Sequence, residues 1–103
     1  MSDTILVTGH IRFDPANRDA FIAGSTILME ASRAEEGVER YDYSAALDDP
    51  GLVYVNEQYT HQAAMDAHMA SSHLAEFMAA AGAFGITGAS LTKWDGATAS
   101  KLM

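Results

Sequence analysis

Three of the chain's four histidines and one acid set in an alternating apolar run fall within a single stretch, Val53 to Phe77 (VYVNEQYTHQAAMDAHMASSHLAEF). An imidazole titrates near neutral pH and can take a proton from an acidic carbon or a phenol, and a carboxylate beside it can fix its tautomer. The chemistry this stretch offers is therefore proton abstraction. His68 and His73 are five residues apart, which on one continuous helix separates them by about 140° and makes no metal pair. If the chain breaks at Ser71-Ser72, two short helices can turn both imidazoles toward one cleft, where Glu57 or Tyr59 would meet them. The alternative is that both are solvated or helix-capping. His61 reads as a surface residue, and His10, in mid-strand, faces either the helices or a partner subunit.

Glu57 shares its strand face with Val53, Val55 and Tyr59. Carboxylates in such a position are rare unless paired, so a partner is expected, either functional or an ion pair with Arg12 or Arg40. Tyr41, Tyr43, Tyr54, Tyr59, Phe77, Phe84 and Trp94 read mainly as core and interface, but a subset lining a cavity would accept an aromatic ligand. The dispersed methionines read as adaptable packing. There is no His-Glu-x-x-His, no glycine-rich phosphate loop and no Gly-x-Ser-x-Gly elbow, so zinc-hydrolase, nucleotide and serine-hydrolase readings find no support.

The elements that must position these groups follow from periodicity and turn chemistry. Ile5 to Phe13 alternates and predicts a strand, with Val7, Gly9, Ile11 and Phe13 on one side. Asp14-Pro15 supplies a cap and a first helical residue for a helix whose apolar face holds Phe21, Ile27, Leu28 and Ala31, and which stops at Gly37. Glu35-Glu36 at that end oppose the helix dipole. Val38 to Leu47 and Leu52 to Tyr59 alternate around Asp48-Asp49-Pro50-Gly51, whose proline and glycine specify a hairpin turn. Thr60 is placed to cap a helix over His61 to Ala70, and Ser71-Ser72 to cap a second that starts at His73 and ends near Gly82. Ile86 to Trp94 is a fourth strand, and Asp95 to Met103 a small polar tail, frayed or laid on a partner.

The order β-α-β-β-α-β predicts an α+β, ferredoxin-like fold, one antiparallel sheet with helices on one face. Apolar and aromatic groups on both faces of several strands predict that a second subunit covers the other face, hence a homodimer. At 103 residues the chain is expected to form a single domain spanning 1–103. Six Lys and Arg against 14 Asp and Glu give a net charge of −8, which would repel a phosphate backbone or an anionic membrane surface. No nucleic acid and no membrane is expected as a partner. The absence of cysteine removes disulfides and thiolate chemistry. MSDTILVTGH lacks the basic start and cleavage site of a signal peptide, and no apolar run reaches the roughly 20 residues of a membrane span, so a cytoplasmic location is expected.

Glu57-Gln58-Tyr59, then Gln62-Ala63-Ala64, Ala67-His68, Ser72-His73 and Phe77, together with the step from Gly37 to Tyr41, resemble the antibiotic biosynthesis monooxygenase family along nearly the whole chain. The resemblance implies a dimeric α+β barrel with a pocket between sheet and helices in each subunit. It further implies oxidation of a small aromatic, quinol or polyketide-like molecule by O₂ with no metal or flavin, the substrate anion itself reducing oxygen. Carried onto this chain, His68 and Glu57 would be the catalytic pair, with Tyr59, His73, Phe77 and Tyr41 as substrate neighbours. The haem-degrading members are less similar, because no tryptophan occurs between Thr60 and Gly82. A non-catalytic dimeric protein holding a small apolar ligand, and an oxygen-independent isomerase, remain open on the same scaffold.

Overall fold

The computed structural model describes residues 2–103. The elements run β1 (Ile5–Phe13), a 3₁₀ turn (Pro15–Asn17), α1 (Arg18–Arg33), β2 (Val38–Ala45), β3 (Leu52–Tyr59), α2 (Gln62–Met69), α3 (Ser72–Ala79) and β4 (Ile86–Asp95). All strand pairs are antiparallel in the order β2-β3-β1-β4, the ferredoxin-like arrangement expected from the sequence, with the second helix split in two. No helix among the described residues is long and apolar enough to cross a membrane.

Most differences from the expected boundaries lie at caps and turns. The Asp14 carboxylate accepts from the Ala16 amide at 2.9 Å and starts a 3₁₀ turn, so α1 begins only at Arg18, after Asn17. The cap of α2 is His61, whose Nδ1 accepts from the Ala64 amide at 3.1 Å, and not Thr60. Ser71 caps α3 through its hydroxyl. β2 ends at Ala45, the Ala46 amide makes one more bond to the Leu52 carbonyl in the same register, and Leu47 beyond it is fully exposed. The buried stripe of α1 is Phe21, Ser25, Leu28 and Ser32, spaced four, three and four, whereas Ile27 faces out. Beside that stripe the Phe84 ring lies over Gly24, where an added Cβ would come within 2.2 Å of it. Gly37, at φ +84°, turns the chain from α1 into β2 in a conformation other residues adopt only with strain.

The core fills the space between the sheet's inner face and the helices. Phe13 stacks on Phe21 with centroids 4.1 Å apart, and Ile11, Leu28, Tyr41, Val53, Val55 and Phe77 complete the larger cluster. Burial of each such side chain is worth about 1.5–3 kcal/mol. Ile5, Val7, Tyr59 and Ala64 form a second cluster. Strand register fixes what lies between them. Val7 pairs with Glu57 on one side and Lys93 on the other, and Glu57 pairs with Tyr41. Paired residues in adjacent strands project to one face, so Tyr41, Glu57, Val7 and Lys93 form a single row across the inner surface.

Candidate active site

The row just described is the floor of a cavity of about 510 Å³ roofed by α2 and α3, with Ile11, Met65, His68, Leu74 and Phe77 among its walls. Its lining is mostly apolar, and its titratable groups are few. An open groove of about 610 Å³ beside Asp3, His61 and Asp95 has Ile5 at its base, and the titratable side chains lining it, among the described residues, are all exposed.

Glu57 is buried in the floor, 7% exposed. Neither arginine proposed as its partner reaches it, since Arg12 pairs with Asp49 at 3.3 Å and Arg40 with Asp42 at 4.0 Å. Its partner is the Tyr59 hydroxyl, which donates to Oε1 at 2.5 Å. Burial raises the Glu57 pKa above the ordinary carboxylate value, with the Tyr59 hydrogen bond and the His68 charge opposing. Burial likewise raises Tyr59 and Tyr41 far out of the physiological range, and pushes Tyr43 up to about 12. The Tyr41 and Tyr43 hydroxyls share a 3.3 Å hydrogen bond.

His68 is buried as well, 1% exposed, held between the Tyr41 ring at 4.9 Å and the Tyr59 ring at 5.8 Å. Its orienting carboxylate is Glu35, not Glu57. Glu35 Oε2 lies 2.8 Å from His68 Nδ1 and 2.7 Å from His73 Nε2. A carboxylate oxygen only accepts, so each ring presents an N–H there: Nδ1–H on His68 and Nε2–H on His73. The nitrogen of His68 left for the cavity is then Nε2, an acceptor in the neutral ring. This is the arrangement of a general base oriented from behind by an acid.

Of the residues singled out in the sequence, His68, Glu57, Tyr41 and Phe77 line the cavity together. Tyr59 and His73 do not. Tyr59, fully buried, stands behind Glu57 and His68, and His73 is joined to His68 through Glu35, both His73 and Glu35 being partly exposed. The five-residue spacing that ruled out convergence on one helix does not apply, because α2 ends at Met69 and α3 starts at Ser72. Glu35 is not among the residues the sequence singles out for chemistry. Its signal was present: an acid at a helix C-terminus is unfavourable to the dipole and needs another purpose. Glu35 Oε2, His68 Nδ1 and His73 Nε2 lie within 4.8 Å of one another, a donor set also suited to a metal ion.

Residues 4–80 match the family model for antibiotic biosynthesis monooxygenase. The Bacillus subtilis (strain 168) protein named "Putative monooxygenase YcnE" is 29% identical over 75 residues, covering 73% of this chain and 79% of that one. Among solved structures, PA3566 from Pseudomonas aeruginosa is 25% identical with a TM-score of 0.83, over 92% of this chain and 95% of its own. A Deinococcus radiodurans protein described as a "putative antibiotic biosynthesis monooxygenase" superposes with a TM-score of 0.88 at 20% identity, over 96% and 98% of the two chains, a likeness of fold.

Proposed function

The chain belongs to the antibiotic biosynthesis monooxygenase family, and from that premise we propose that its cavity oxidises a small aromatic or quinol-like molecule with O₂, with no metal or flavin in the chemical step. The observation that carries this reading is His68, tied by Nδ1 to Glu35 and lining a mostly apolar chamber whose floor holds Glu57.

His68 Nε2 takes a proton from a ring-activated CH₂ or phenol, and the resulting anion is delocalised over the aromatic system. The anion passes one electron to O₂, and the radical pair joins as a C–O bond to give a hydroperoxide. For an R₂CH₂ group, or a ring CH ortho or para to a phenolate oxygen, loss of the remaining C–H proton forms C=O as the O–O bond breaks, and one oxygen leaves as water. Substrate and O₂ thus supply every electron and atom. Glu57, whose burial favours the neutral acid, is the donor that protonates the departing oxygen. Tyr41 and Phe77 offer the ring faces against which a flat substrate lies, while Met65 and Leu74 keep out water. Tyr59 positions Glu57, and Glu35 with His73 positions His68. Oxygen uptake over a panel of hydroquinones and hydroxynaphthalenes tests this. No uptake, or uptake unchanged in His68→Ala, sinks it, and turnover that persists without oxygen points to an isomerase instead.

The assembly we infer is a homodimer through the sheet's uncovered face, where Tyr54 is 48% and Trp94 54% exposed. A monomer in sedimentation at micromolar concentration counts against it.

A further inference from the structure

The oxidation proposed above employs Nε2 of His68 and leaves the opposite side of that ring, where three ligand-type atoms converge, with a purely positioning role. We propose that Glu35, His68 and His73 bind a divalent transition metal of the zinc class, and that the ion switches the cavity base off.

Glu35, His68 and His73 come from three separate segments, the turn after α1, α2 and α3, and their ligand atoms gather within 4.8 Å. Two imidazoles and one carboxylate form a ligand set that suits zinc, iron(II) or cobalt(II). The two N···O distances are 2.8 and 2.7 Å. Tetrahedral zinc with bonds of about 2.0 Å needs its ligands roughly 3.3 Å apart, so the triad must open by only about half an ångström on those two edges. Among the described residues the ion-pairing partners of Glu35 are these two histidines, so no lysine or arginine competes for its charge.

Access is two-sided. The Glu35 and His73 side chains are 17% and 21% exposed and do not line the cavity, whereas His68 is 1% exposed and does. An ion enters from solvent behind His68, with water as its fourth ligand, while substrate occupies the other side. In the hydrogen-bonded state His68 carries its proton on Nδ1 and offers Nε2 as a base. With the metal on Nδ1, the neutral ring holds its proton on Nε2, which then donates and accepts no proton from substrate. His73 changes tautomer in the same way, so two neutral rings release no net proton.

The consequence for turnover rests on the oxidation reading, but binding does not. Zinc is titrated into the full chain by calorimetry, with cobalt(II) absorption as a second readout, for wild type, Glu35→Gln, His73→Gln and, as an imidazole outside the triad, His10→Gln, each checked for folding by circular dichroism. One ion per chain is expected, at least tenfold weaker, in order of magnitude, in the two triad variants and unchanged in His10→Gln. Nitrogen-15 NMR should show the His68 proton moving from Nδ1 to Nε2 on zinc addition. No binding to wild type, equal binding by the triad variants, loss of binding in His10→Gln, or an unmoved His68 proton overturns the proposal. Binding with the tautomer change but no hydroquinone oxidised under any condition upholds the metal site and removes the oxidation reading alone.

Discussion

Two acids flank the same cavity, and their surroundings are opposites. Glu57 stands on a central strand, walled by tyrosines and aliphatic groups, with, among the described residues, a single hydroxyl as donor and no cation in an ion pair with it. Glu35 stands beyond a helix end, 17% exposed, between two imidazoles that converge on one of its oxygens. Desolvation dominates the first and favours a neutral acid that can give a proton away. Paired donors dominate the second and make it a fixed acceptor that orients what it touches. On the proposed reading, two residues of one type would take the roles of acid and orienter from environment alone.

The contrast breaks most visibly through His68. Replacing it with alanine removes the imidazole that, among the described residues, alone lines the cavity, and kcat/KM for any oxidised substrate should fall by about 10²–10⁴-fold. Glu35→Gln should come next. The amide can still accept a hydrogen bond, but it no longer holds His68 in one tautomer with a full charge, so kcat should fall less than in His68→Ala while KM stays near wild type. A KM effect equal to the kcat effect would mean that Glu35 touches substrate, contrary to its position outside the cavity.

Much of this was legible beforehand, and the parts that were not share a cause. β1 and β3 follow from strict alternation, and the hairpin from Pro50-Gly51, because those signals are local. Glu57 was conspicuous for the same reason, a charge on an apolar strand face. Its partner was not legible: alternation puts Tyr59 on the same face, but nothing local chooses its hydroxyl over Arg12 or Arg40. Register and burial make that choice. Glu35 is the plainer case. Its two contacts span 33 and 38 residues, and both depend on the break between α2 and α3 turning His68 and His73 to a common point. The α1 stripe misleads in a related way, because hydrophobicity alone ranks Ile27 above Ser25, whereas the packing of α1 buries Ser25 and leaves Ile27 exposed.

Smaller effects sharpen the contrast at Glu57. Tyr59→Phe deletes the donor while keeping the ring, so the buried carboxyl loses its hydrogen bond; thermal or urea unfolding should register a loss of about 1–3 kcal/mol. Because that hydrogen bond lowers the Glu57 pKa, the variant should hold Glu57 protonated to higher pH than wild type, as followed by the carbonyl stretch in infrared difference spectra.

Glu57→Gln gives the smallest effect and the clearest sign. With its folded pKa above the ordinary 4.5, wild-type Glu57 carries no penalty at low pH, where the folded and unfolded chains are both protonated. As pH rises past that ordinary value, the unfolded chain ionises first and the folded state loses stability relative to it, until the buried group ionises as well. Gln, which never ionises, lacks this loss. Unfolding free energies measured from pH 4 to pH 8 should therefore show the Gln variant gaining on wild type as pH rises, with the gap closing toward pH 4. A gap that widened toward acid would mean that Glu57 is held ionised, which would make it a second orienting carboxylate like Glu35 and leave the cavity without an acid.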